Sequence, residues 1–90
     1  MSVTIEIPSY LQPYTSGRET VETEGSTVGE CLSRMIKQFP GMEKMLFDKN
    51  GKLHAYVGIY VNGEDAYPEE LAQSVNDGDK VQILYIIGGG

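Results

Sequence analysis

The most apolar β-forming run of this chain, Val81 to Ile87, comes last and is followed only by Gly88, Gly89 and Gly90. A strand of that composition is shielded from water only with neighbours on both sides, so it belongs in the middle of a sheet whose other strands precede it. Few architectures meet that condition. The 90 residues, 40% of them apolar, suffice for one core and not for two, which makes a single domain the expectation.

The periodicity supplies the partners. Val3, Ile5 and Ile7 alternate with Thr4 and Glu6 before Pro8, which predicts a first strand over 2–7. Tyr10 to Ser16 reads as a long connection, Ser16-Gly17 as a turn, and the polar stretch 18–24 as an edge strand whose charges discourage pairing with other molecules. From Thr27 the spacing changes to three and four: Val28, Cys31, Leu32, Met35, Ile36 and Phe39 form one apolar stripe on a helix over 27–39. Thr27 and Glu30 have capping-box spacing, and Pro40-Gly41 stops the helix. Residues 41–52 read as a short helical turn and loop over one end of the core. Strands follow over 56–61 and 64–67 around an Asn62-Gly63 hairpin turn, then a loop or single turn over 68–75. Asp77-Gly78-Asp79 turns the chain into the last strand.

A helix crossing one face of a mixed sheet, with the last strand central and parallel to the first, is an α+β fold of the β-grasp type. Strand alternation would turn Val57, Ile59, Val61, Val81, Ile83 and Tyr85 inward, leaving Tyr56, Tyr60, Leu84 and Ile86 outward as a candidate docking patch. The competing expectation is a sheet face partly covered by the loop 41–55.

Charge narrows the partners. Thirteen acidic against seven basic residues give a net charge of −6, which repels phosphate backbones and anionic headgroups, so neither nucleic acid nor membrane is expected as a partner. Residues 64–79 hold six carboxylates and no Lys or Arg, and Glu69 and Glu70 among them would steer docking onto a basic surface. The single cysteine excludes an intrachain disulfide, a zinc cluster and a Cys-x-x-Cys pair, and fits a reducing cytoplasm. No secretion signal or bilayer-spanning stretch is legible. Cys31 on the apolar stripe reads as a core residue, His54 as a surface or strand-end residue. The paired acids read as solvated turns, without the ligand count of a calcium loop. No catalytic group, metal site or bound cofactor is expected.

The three terminal glycines contribute nothing to packing. Taken alone they are what a frayed end looks like. A tail without side chains can also thread a narrow channel and present its α-carboxylate inside another protein's active site.

The strand Val3-Thr4-Ile5-Glu6-Ile7-Pro8, the helix opening Ser26-Thr27-Val28-Gly29, the hairpin Ile59-Tyr60-Val61-Asn62-Gly63-Glu64, the turn Asp77-Gly78-Asp79 and the end Gly89-Gly90 occur in this order. In that order the chain resembles, over essentially its whole length, the small ubiquitin-like sulfur carrier proteins. That group contains the thiamine-pathway carrier and the small subunit of molybdopterin synthase. Leu11-Gln12-Pro13-Tyr14-Thr15 and Gly51-Lys52-Leu53-His54 look more like the branch serving cysteine biosynthesis. Gly88 departs from the family's usual two glycines and lengthens the tail. The resemblance implies a β-grasp domain over 1–87 and a flexible tail over 88–90. It also implies a carrier that performs no catalysis: an activating enzyme using ATP would adenylate Gly90, and a sulfur donor would convert it to a thiocarboxylate. A biosynthetic enzyme would accept the sulfur, Gly88 and Gly89 serving to thread the tail. Three other readings stay open: the small subunit of molybdopterin synthase, a protein modifier joined through Gly90 to lysines, and a binding module with an inert tail.

Overall fold

In the computed structural model, which describes residues 2–86, the alternating start of the chain forms β1 (Ser2–Glu6), with Val3 and Ile5 fully buried. Ile7 lies past the strand but is also buried, its amide bonded to the Glu19 carbonyl at 2.8 Å. β2 (Thr20–Glu24) runs antiparallel to β1 at one edge of the sheet, starting two residues later than expected from 18–24. Its free side presents Thr and Glu side chains, as an edge requires.

Between them, the connection expected over 10–16 is a 3₁₀ segment, Ser9–Thr15, that buries Leu11 and Thr15. The Thr15 hydroxyl lies 3.2 Å and 3.1 Å from the Gln12 and Arg18 carbonyls, which satisfies a buried polar group from within its own loop.

The apolar stripe becomes α1 (Val28–Gln38), burying Val28, Cys31, Leu32 and Met35 while Ile36 and Phe39 pack partly exposed at its border. Thr27 Oγ1 accepts from the Glu30 amide at 3.2 Å. The reciprocal half of the expected box is displaced by one residue: Glu30 Oε1 accepts from the Ser26 amide at 2.7 Å and the Ser26 hydroxyl at 2.9 Å. On either side of Thr27 the chain is bonded to residues 73–75, the Val75 amide donating to the Ser26 carbonyl at 3.0 Å and the Val28 amide to the Gln73 carbonyl at 2.9 Å. Thr27→Ala should lower unfolding free energy by about 1 kcal/mol, the usual worth of an N-cap. Urea denaturation measures this, and an unchanged midpoint would show that the bonds from Ser26 to the Glu30 carboxylate hold this helix end without the Thr27 hydroxyl.

α2 (Met42–Leu46) inserts fully buried Met42 and Leu46 under one end of the core and packs against the 9–15 segment, as the reading of 41–52 required. β3 (Val57–Val61) turns through Asn62 and Gly63, both left-handed (φ 52° and 87°), into β4, only Glu64–Asp65 rather than 64–67. A 3₁₀ turn, Glu70–Ala72, precedes β5 (Lys80–Tyr85), which lies centrally in the order β2-β1-β5-β3-β4. β5 is parallel to β1, pairing Val81 with Ile5, and antiparallel to β3, pairing Ile83 with Ile59. Residues 87–90, which include Gly88, Gly89 and Gly90, lie outside the described residues.

Val57, Ile59, Val61, Val81 and Ile83 face the helix and are buried, but Tyr85 is 51% exposed and corrects the inward assignment. Strand parity puts it on the helix side, yet it stands at the sheet's end. There it meets the Tyr10 ring edge-on at 5.2 Å.

Three carboxylates hold the loops. Bonds from Ser26 hold Glu30 below its ordinary pKa, the Lys52 and Asn50 amides do so for Asp48, and the Asn62 side chain and Asn76 amide for Asp79. A lowered folded pKa means that the unfolded chain takes up protons first. Their contribution is complete above the ordinary carboxylate range of about 4 and is lost as pH falls through the lowered values. Melting temperature should therefore decline below about pH 4, with a shallower slope in Asp79→Asn. An equal slope in the two proteins would remove Asp79 from this account.

Candidate functional site at the root of the tail

β5 delivers the chain end to one corner of the sheet. Beyond the strand the Ile86 amide still donates to the Tyr56 carbonyl at 2.7 Å, so the backbone is held up to the last described residue. The outer face of the sheet changes character along β5. Near its start Lys80 pairs with Glu6 at 3.5 Å and Gln82 donates to Glu6 at 2.9 Å. Near its end stand Leu84, 38% exposed, and Ile86, 49% exposed.

Ile86 lies over β3 because residue 58 is glycine: a Cβ there would be 3.1 Å from Ile86 Cδ1. Gly58, Tyr60, Leu84, Ile86 and Tyr67 line a shallow depression of about 400 Å³. The structure thus brings Tyr60, Leu84 and Ile86 together and adds Tyr67, which the sequence reading had not included. Tyr56 does not join them. It precedes the regular part of β3 and stacks on His54, with ring centroids 4.8 Å apart and planes within 8°, on the side of Tyr85. His54 Nε2 donates to the Lys44 carbonyl at 2.9 Å, giving the ring a structural role.

Residues 41–55 do not line the depression, so the loop expected to cover this face does not fill it. Glu70 is on its rim and is half-buried; Glu69 is exposed beside it. The acids at the turn have other work: Asp77 Oδ1 accepts from the Ser2 amide at 2.7 Å, and Asp79 Oδ1 from Asn62 Nδ2 at 3.0 Å. Among the described residues no cluster of three or more His, Cys, Asp or Glu is placed to hold a metal ion. Cys31 is fully buried, and burial pushes its thiol above the ordinary value. No helix among the described residues is long and apolar enough to cross a membrane.

The site that emerges among the described residues is an anchored strand end beside an apolar depression. Together with the sheet order and the helix across one face, it defines a ubiquitin-like β-grasp protein. Residues 5–90 match the model of the ThiS family, and the chain belongs to that family of ubiquitin-like sulfur carriers. It is similar to the sulfur carrier protein CysO of Mycobacterium tuberculosis, 41% identical over 93 residues and spanning all of both chains. In the crystal structure of the Amycolatopsis orientalis BexX/CysO complex, one chain superimposes with a TM-score of 0.87 at 36% identity, over 98% of this chain and 99% of that one. The small archaeal modifier protein 1 of Haloferax volcanii is 28% identical over 71 residues, 78% of each chain.

Proposed function

We propose that this protein carries sulfur on the carboxylate of Gly90 for a biosynthetic pathway, most closely that of cysteine or a related sulfur metabolite, and catalyses nothing itself. The observation that carries the reading is the family match across residues 5–90, which takes in the terminal glycines. The similarity to CysO over the whole chain supports the same branch.

In this reading the Gly90 carboxylate attacks ATP in an activating enzyme, releasing pyrophosphate and leaving an acyl-adenylate. A sulfide-level donor then adds to the activated carbonyl and AMP departs, so sulfur replaces one carboxylate oxygen. The thiocarboxylate is delivered to an acceptor enzyme, and Gly88 and Gly89 let the tail enter where side chains would not. ATP belongs to the activating partner, and these reactions fit the cytoplasm. The acids around Glu69 and Glu70 would speed encounter with a basic partner surface.

Mass spectrometry of the peptide released after Lys80 tests this. Val81 to Gly90 contains no methionine, so a sulfur-for-oxygen shift in it cannot be methionine oxidation. The shift should appear after incubation with ATP, a sulfide source and host extract. An unmodified peptide beside a modified control carrier would refute the reading. The similarity to an archaeal modifier favours a second reading, in which Gly90 forms an isopeptide bond; the same peptide would then be found branched on a lysine.

The apolar depression is the natural contact for the activating enzyme. Leu84→Glu should leave the fold intact, because the side chain is on the outer face, and should lower the rate of thiocarboxylation at least tenfold. A rate equal to wild type would move the contact elsewhere.

A further inference from the structure

The β3–β4 hairpin stops short for a reason written in one residue. Its register pairs Val61 with Glu64 and Tyr60 with Asp65, and the Ala66 amide still donates to the Ile59 carbonyl at 2.9 Å. The next hydrogen-bonding pair in that register, two residues on, would put Pro68 opposite Val57, and proline has no N–H to give. The chain leaves the sheet here and sets Leu71 close against Gly29 of α1. What remains beside β3 is a groove of about 600 Å³, walled by residues 51–55 and 67–72 and completed by Val57 and Ile86.

Two features say what the groove would hold. The first is an unused acceptor. Tyr56 and Asn62 bond to β5 through Ile86 and Lys80, so strand alternation turns the Val57 carbonyl away from β5, and no described residue donates to it. The second is charge: Glu69 and Glu70 line the groove against one lining ammonium, that of Lys52, and belong to a segment, 64–79, that has six carboxylates and no Lys or Arg.

We propose that this groove binds an extended segment of a partner protein in which an apolar residue is flanked by lysine or arginine. The segment adds along β3, its backbone N–H donating to the Val57 carbonyl. Its apolar side chain rests on Leu53, Val57 and Leu71, and its cations meet Glu69 and Glu70. The site goes beyond the carrier reading, since it needs no chemistry at Gly90 and would stand if the tail bore no sulfur.

A random-peptide phage library selected on the full chain tests it. Enriched peptides should share the basic-apolar-basic pattern, and a synthetic copy of the best should shift the amide resonances of Ala55, Val57 and Leu71. Glu69→Lys with Glu70→Lys should weaken that peptide at least tenfold at low salt, with the loss shrinking as salt rises. Leu84→Glu and removal of residues 88–90 should leave its affinity unchanged, which separates this site from the tail's partners. The proposal falls if no peptide is enriched, if enriched peptides lack the pattern, or if the shifts map to Tyr60 and Leu84. Peptide binding only after residues 87–90 are removed would give the groove to the chain's own tail. Binding that appears only on dilution would give it to a second copy. Either result overturns a partner segment.

Discussion

Removal of Gly89 and Gly90 is expected to abolish thiocarboxylation while leaving the melting temperature unchanged. The core is built from residues between Val3 and Ile83, so nothing that holds the fold is lost. What is lost is position. Four residues beyond Ile86 reach at most roughly 13–14 Å, and deleting the last two withdraws the carboxylate by about 7 Å from the α-phosphate it must attack. Near-attack geometry tolerates far less than that. Removing a single glycine, whichever of the three it is, leaves Ile87 followed by two glycines and a terminal carboxylate and shortens the reach by half as much. If reach is the whole explanation, both deletions fail; if the family's two glycines suffice, the single deletion retains activity. Peptide mass spectrometry of the two variants separates these cases, and full activity without Gly89 and Gly90 would end the carrier reading.

Leu32→Ala is expected to cost about 2–5 kcal/mol, the range for emptying a fully packed leucine site. Leu32 has no exposed surface and lies on the stripe by which α1 covers the sheet. A domain of this size has only about 5–15 kcal/mol in total, so the melting temperature should fall by at least about 10 °C. Ile36→Ala, at the border of the same helix, should cost clearly less because the site opens to water. Scanning calorimetry compares the two. Equal losses would mean that α1 packs differently from the arrangement described.

Both predictions rest on features of different legibility. The helix stripe, its Thr27 cap, the Asn62-Gly63 hairpin and the central place of Val81 to Ile87 were all readable from periodicity and turn chemistry. Each depends on residues close in sequence or on one strand's composition.

Other features were not legible. The 9–15 segment read as a loop, since burial of Leu11 and Thr15 depends on α2 arriving from thirty residues away. Glu30 bonds Ser26 rather than Thr27 where the chain on either side of Thr27 pairs with residues 73–75, a partner no local rule names. Strand parity carried Tyr85 to the correct side but could not show that the core ends before reaching it. It also failed for Tyr56, where the chain enters β3 from the stack on His54. Pro68 was visible throughout, yet its consequence required knowing the β3–β4 register that places it opposite Val57.

By itself, then, the sequence determined the kind of elements and their order, because these follow from local periodicity and turn residues. Only the tertiary structure decided which outer residues form one surface, where the hairpin peels away and which carbonyl is left unpaired. Those depend on distances between segments far apart in sequence, which packing sets and no local pattern encodes.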